Sequence, residues 1–143
     1  LILDEPTSGL DPGERIRLRN IISEFAQARI VLISTHIVSD VEYVATRNAI
    51  MKDGKVIALG TTEELVKTME GRVWQSTIPA GQLQGYERST RVVNVRNEEG
   101  GNVSVRYVAD MPCIPNSQTA APRLEDLYLW LFRDETAAGE GAI

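Results

Sequence analysis

Two short apolar runs, Leu1-Ile2-Leu3 and Ile30-Val31-Leu32-Ile33, bracket a stretch whose apolar residues recur at helical spacing, and this alternation is the strongest constraint on the fold. Runs that are apolar at every position suit strands covered on both faces. Between them Leu18, Ile21, Ile22 and Phe25 fall at i, i+3, i+4 and i+7, one apolar stripe of a helix whose Arg15, Arg19 and Glu24 turn mostly outward. Strand, helix and strand in that order make a parallel βαβ unit, whose ligand side is the carboxyl edge of the strands. Asp4 and Glu5 close the first run, and Ser34, Thr35 and His36 leave the second. The two polar clusters are therefore expected to meet on one edge.

The helix has a marked start. Asp11 suits the N-cap, Pro12 the first helical position, and Glu14 completes a capping box. After the second strand, Val38 to Ala45 reads as a short helix with Val41, Val44 and Ala45 as its stripe. Residues 49–52 and 55–59 flank Asp53-Gly54, the two-residue turn best suited to a tight hairpin with positive φ. Thr61 with Glu64 marks another helix start, running to about Met69, and Gly71 suits its end. Beyond Gly71, residues 73–78, 91–95 and 103–108 alternate in the manner of strands, with a hairpin turn over 97–102 and a proline-containing connection over 111–122. Leu124, Leu127, Tyr128, Leu131 and Phe132 then stripe a last helix. The expected organisation is an α/β part over 1–71, a small, mainly β (α+β) domain over 72–135, and a flexible tail over 136–143.

Composition narrows the function. The chain has 143 residues with 15 basic and 20 acidic side chains, a net charge of −5, which argues against a nucleic-acid footprint or an anionic-lipid binder. Its one cysteine, Cys113, cannot form an internal disulfide, so a reducing cytoplasm is expected. No apolar run approaches the roughly 18 residues that span a bilayer, and the first residue is Leu1 within a strand pattern. The natural protein is expected to begin upstream.

Apolar residues followed by Asp-Glu describe many strand-to-loop junctions, and a lone histidine is usually an ordinary structural residue. The whole stretch Leu1-Ile2-Leu3-Asp4-Glu5-Pro6-Thr7-Ser8-Gly9-Leu10-Asp11-Pro12 is more specific. It resembles the Walker B strand, catalytic glutamate and D-loop of ATP-binding cassette (ABC) ATPases, and Ser34-Thr35-His36 resembles their switch-histidine loop. The resemblance covers about residues 1–70 and implies the C-terminal part of a P-loop NTPase, a RecA-like cassette core. It implies ATP and Mg²⁺ as cofactors, with Asp4 serving the metal through water, Glu5 orienting or deprotonating the attacking water, and His36 on the γ-phosphate. Ser8, Gly9, Leu10 and Asp11 would face a second ATP-binding subunit, identical or different. An integral membrane permease subunit is the other implied partner, which places the whole protein in the cytoplasm, peripheral to the membrane.

Thr7-Ser8-Gly9-Leu10-Asp11 has the transporter form of the D-loop. Met51-Lys52-Asp53-Gly54-Lys55-Val56, Gly60-Thr61-Thr62-Glu63-Glu64-Leu65 and Leu124-Glu125-Asp126-Leu127-Tyr128 resemble ATPases of ABC-2-type exporters. The chain contains no Gly-x-x-x-x-Gly-Lys-Ser/Thr loop and no Leu-Ser-Gly-Gly-Gln signature, so these residues alone are expected neither to bind ATP tightly nor to hydrolyse it. Two alternatives stand beside this reading. Residues 72–135, with Trp74, Tyr86, Tyr107, Tyr128 and Trp130, could form a regulatory or dimerisation module, and the isolated fragment could be only partly folded.

Overall fold

The computed structural model describes residues 1–133, so the tail read over 136–143 lies outside the described residues. They form two compact units, Leu1–Thr62 and a second from Glu63 onward. Among the described residues no helix is long and apolar enough to cross a membrane.

In the first unit β1 (Ile2–Asp4) and β2 (Leu32–Ser34) pair in parallel, joined by helix α1 (Pro12–Ala26). This is the βαβ arrangement expected from the alternation of patterns. The Asp11 side chain accepts from Glu14 N–H at 2.8 Å while the Glu14 side chain accepts from Asp11 N–H at 3.1 Å, the reciprocal capping box. Two details of the packing differ from expectation. Ile2 and Leu32 are register partners and share a face, and they are 78% and 62% exposed, whereas Leu3 and Ile33 on the other face are half-buried. Among the described residues the pair of strands is thus covered on one face rather than two. On α1 Ile22 is buried, but Ile21 is exposed and Leu18 and Phe25 are half-buried. The contact of α1 with helix α2 (Val38–Val44) takes a narrower arc than the four-residue stripe.

Strands β3 (Arg47–Lys52) and β4 (Lys55–Thr61) form an antiparallel hairpin. Its turn residues Asp53 and Gly54 have φ of +51° and +74°, as a two-residue primed turn demands. Helix α3 (Thr62–Lys67) follows, and the chain turns at Gly71, φ +78°.

The second unit is built on an antiparallel sheet of order β6-β7-β5-β8. Its strands are β5 (Val73–Pro79), β6 (Arg91–Asn97), β7 (Asn102–Val108) and the two-residue β8 (Gln118–Thr119), with a short helix α4 (Leu83–Glu87) between β5 and β6. Ile78, Val103, Val105, Tyr107 and Ile114 form the core on one face of the sheet. Helix α5 (Leu124–Leu131) packs against β6 and β7, and Arg106, which alternates with the core residues of β7, reaches Asp126 on that helix.

Candidate active site

The ends of β1 and β2 lie side by side. Asp4 is the register partner of Ser34, and Glu5 N–H donates to the Ser34 carbonyl at 2.7 Å. The chain leaves β1 through Glu5 with φ at +46°, in the left-handed region. A non-glycine residue held there costs about 1–3 kcal/mol and persists only where its surroundings fix it. Here the fixing groups are the residues after β2. Thr35 Oγ1 donates to Glu5 Oε2 at 3.0 Å, and His36 N–H donates to Glu5 Oε1 at 2.9 Å. The His36 ring nitrogen Nδ1 lies 2.8 Å from the same Oε1.

These contacts determine the charge of the site. The His36 ring is the largest cause holding the Glu5 carboxyl below its ordinary value; partial desolvation opposes it, and the Thr35 hydroxyl and His36 main chain add to it. Glu5 is therefore a carboxylate at neutral pH and can accept a further proton or hydrogen bond. With Nδ1–H given to Glu5, the remaining edge of His36 faces outward on a side chain that is 76% exposed. Asp4 is exposed, and its Oδ1 accepts from Ser34 Oγ, which leaves Oδ2 available.

The segment from Ser8 to Asp11 turns away into α1. Ser8 N–H donates to the Glu5 carbonyl and Leu10 N–H to the Thr7 carbonyl, both at 3.2 Å, around Gly9 at φ +76°. Arg15 Nε donates to the Leu10 carbonyl at 3.3 Å, and the Asp11 carboxylate is occupied as the N-cap. The structure thus brings Asp4, Glu5 and His36 to one strand edge. The hydrogen bonds of Ser8, Leu10 and Asp11 run instead to their own loop and to α1.

The chain is 38% identical over 145 residues to an uncharacterised ABC transporter ATP-binding protein of Synechocystis, covering 94% of this chain and 40% of that protein. It is 35% identical over 86 residues to the uncharacterised ABC transporter ATP-binding protein YxlF of Bacillus subtilis, covering 60% of this chain and 29% of YxlF. It is also 39% identical over 74 residues to the daunorubicin/doxorubicin resistance ATP-binding protein DrrA of Streptomyces peucetius, covering 51% of this chain and 22% of DrrA. The chain is a homologue of ABC transporter ATP-binding proteins. It spans less than half the length of each of these relatives. No family model matches it.

For an ABC ATP-binding homologue the donor set at this edge is compatible with magnesium, which keeps several waters and needs only one or two carboxylates besides phosphate oxygens. Asp4, with one oxygen available, offers such a ligand. Among the described residues no group of three or more His, Cys, Asp and Glu gathers as a dedicated metal cage, and a hydrated magnesium would not require one.

Four residues at this edge received no individual role from the sequence. Ser34 and Thr35 hold the two carboxylates, and Thr7 and Asp40 are buried and bonded to each other through Thr7 Oγ1 and Asp40 Oδ2. A signal for Asp40 was present: it lies four residues before Val44, so it falls on the apolar stripe of α2, where an unpaired carboxylate would be costly.

Proposed function

We propose that this chain is the C-terminal part of the ATP-hydrolysing subunit of an ABC-2-type exporter, with residues 1–71 belonging to the RecA-like cassette. The observation that carries the reading is the Glu5 carboxylate, fixed by Thr35 and His36 beside Asp4 at the ends of two parallel strands. In the whole subunit Asp4 would hold Mg²⁺ through water. Magnesium-bound ATP supplies the reacting phosphate, and catalysis by the protein is then a matter of positioning and charge.

Glu5 orients the attacking water and accepts its proton, a role that needs an ionised carboxylate within hydrogen-bond reach. His36 keeps Glu5 in place through Nδ1–H and turns its outer edge to the terminal phosphate, to which it donates once the second ring nitrogen is also protonated, stabilising the developing charge. Ser8, Gly9, Leu10 and Asp11 form the contact with a second ATP-binding subunit, and the whole assembly drives an integral membrane permease from its cytoplasmic side. No nucleic acid is involved.

Residues 72–135 are an accessory domain in this reading. Their open polar cleft of about 600 Å³, lined by Gln75, Thr77, Arg106, Gln118 and Arg123 among others, favours a regulatory ligand as the second reading. A thermal shift of this domain with a small polar ligand would support that reading, and none is expected from a purely structural domain.

Calorimetric titration tests the main reading. The 143-residue chain should show no micromolar affinity for Mg-ATP, because it has no phosphate-cradling glycine loop. The intact subunit should bind Mg-ATP and hydrolyse it. Micromolar binding by the chain alone, or an intact subunit without ATPase activity, refutes the proposal.

A further inference from the structure

Thr7 and Asp40 lie 33 residues apart in sequence, and neither touches the reacting groups assigned above. Thr7 is 2% exposed and Asp40 7%, and the Thr7 hydroxyl donates to Asp40 Oδ2. Thr7 stands two residues after Glu5, with Pro6 between them, and the fixed φ of proline makes that link stiff. Asp40 stands four residues after His36 in the first turn of α2, where its N–H donates to the Ile37 carbonyl at 3.1 Å.

Besides the Ser34 and Thr35 bonds at the strand ends, two side-chain ties join the loops on either side of that edge. One tie is the Glu5–His36 contact, with the histidine largely exposed. The other is Thr7–Asp40, beside a cavity of about 10 Å³ lined by Pro6, Arg19, Ile22, Ile33, Val41 and Val44. Both side chains are buried, so solvent competes for this bond far less than for the outer one.

We infer that Thr7 and Asp40 are positioning residues, a buried clasp that holds the loop bearing Glu5 against the loop bearing His36. The outer tie is the one exposed to the water and phosphate that engage Glu5 and His36. The inner tie keeps the two side chains in register while that happens. Each end of the clasp is stiffly joined to the residue it positions, by Pro6 on one side and by the first turn of α2 on the other. Positioning of this kind matters for rate, because a displacement of about 1 Å in an attacking geometry costs up to about a hundredfold.

The test reads His36 directly, since it is the sole histidine of the chain. Long-range nitrogen–proton correlation spectra at about pH 8, where an ordinary imidazole is neutral, report which ring nitrogen carries the proton. The wild-type chain should show a protonated Nδ1. Thr7→Val combined with Asp40→Leu removes both polar partners and keeps the site filled. This double variant should shift the ring to the mixture of forms that an unheld imidazole shows. Asp40→Asn, which keeps an acceptor oxygen in place, should retain the wild-type spectrum.

In the intact subunit the double variant should lower kcat about tenfold to a hundredfold and leave KM for ATP within about twofold. Should the double variant fail to fold, Thr7→Val on the Asp40→Asn background leaves a neutral amide instead of a buried carboxylate and gives the same comparison. A folded variant with an unchanged His36 spectrum overturns the inference, as does a shift in Asp40→Asn as large as in the double variant. The kinetic arm rests on the ATP-hydrolysing reading. A wild-type intact subunit without ATPase activity refutes that reading, whereas an unmoved His36 spectrum refutes the clasp.

Discussion

The carboxylate of Glu5 receives both the main-chain N–H and the ring Nδ1 of His36 on a single oxygen, at 2.9 and 2.8 Å. Two donors from one residue define the direction of the carboxyl plane as well as its distance. The second oxygen takes the Thr35 hydroxyl at 3.0 Å. The group is thus oriented by the loop after β2 and biased toward its ionised form, which suits a residue that has to act on water.

The first prediction concerns Glu5→Gln in the intact subunit. The amide oxygen can still accept from His36, and its NH2 then meets the Thr35 hydroxyl as a donor instead of an acceptor, but the side chain cannot take a proton from water. Hydrolysis should fall by about 10²–10⁴-fold while nucleotide binding and the ATP-bound dimer persist. Steady-state turnover alongside a binding isotherm distinguishes the two effects, and unchanged turnover removes Glu5 from the mechanism.

The second concerns pH. The folded chain holds the Glu5 carboxyl below its reference value of 4.5, so around that pH the folded state binds fewer protons there than the unfolded state. The stabilisation linked to Glu5 is then fully present above that reference value and is lost as pH falls through the lowered folded value. His36→Ala removes the largest cause of the shift. The variant should be less stable than wild type at about pH 6, with the gap closing toward about pH 2. Urea midpoints measured across that range check this, and a gap that widens in acid contradicts it.

Much of this was legible from short-range chemistry. Asp11, Pro12 and Glu14 announced the start of α1, and Asp53-Gly54 announced the hairpin, because caps and primed turns are chosen by a few neighbouring residues. The meeting of Asp4 and Glu5 with the segment from Ser34 to His36 followed from the parallel order of two apolar runs. Features decided by tertiary contact were not legible. The β8 pairing of Trp74 with Thr119 involves two residues at an edge, too few for any alternation to show. The left-handed turn at Glu5 and the bond between Thr7 and Asp40 depend on partners some thirty residues away. The exposure of Ile21 reflects how much of α1 finds a partner, which periodicity alone does not state.

The third prediction separates the structural role of Asp11 from an interface role. As N-cap it accepts from Glu14 N–H at 2.8 Å, so Asp11→Ala should destabilise the first unit by about 1 kcal/mol and lower amide protection in the first turn of α1. Asp11→Ser should recover most of that loss, because serine also caps. If Asp11 also contacts a second subunit, Asp11→Ser will still weaken the ATP-dependent dimer in sedimentation experiments. Full recovery of dimerisation by serine would reduce Asp11 to a cap.

The fourth concerns the second unit, where Arg106 and Asp126 make a two-pronged pair between β7 and α5. Arg106 Nε and Nη2 donate to the two carboxylate oxygens at 3.0 and 2.6 Å, and Nη2 also donates to the Ala121 carbonyl at 2.7 Å. The side chains are 11% and 1% exposed, so this is a buried pair and salt should barely screen it. Arg106→Ala strands a carboxylate in the interior and should cost about 3–5 kcal/mol. Replacing both, with Arg106→Met and Asp126→Leu, should recover most of that stability, less about 1 kcal/mol for the lost cap at α5, where Arg123 N–H donates to Asp126 Oδ2 at 2.7 Å. Urea unfolding at low and high salt measures all three chains. A loss below about 1 kcal/mol in Arg106→Ala is the behaviour of an exposed ion pair, and it would mean that α5 is held to the sheet by Leu124 and Leu127 rather than by charge.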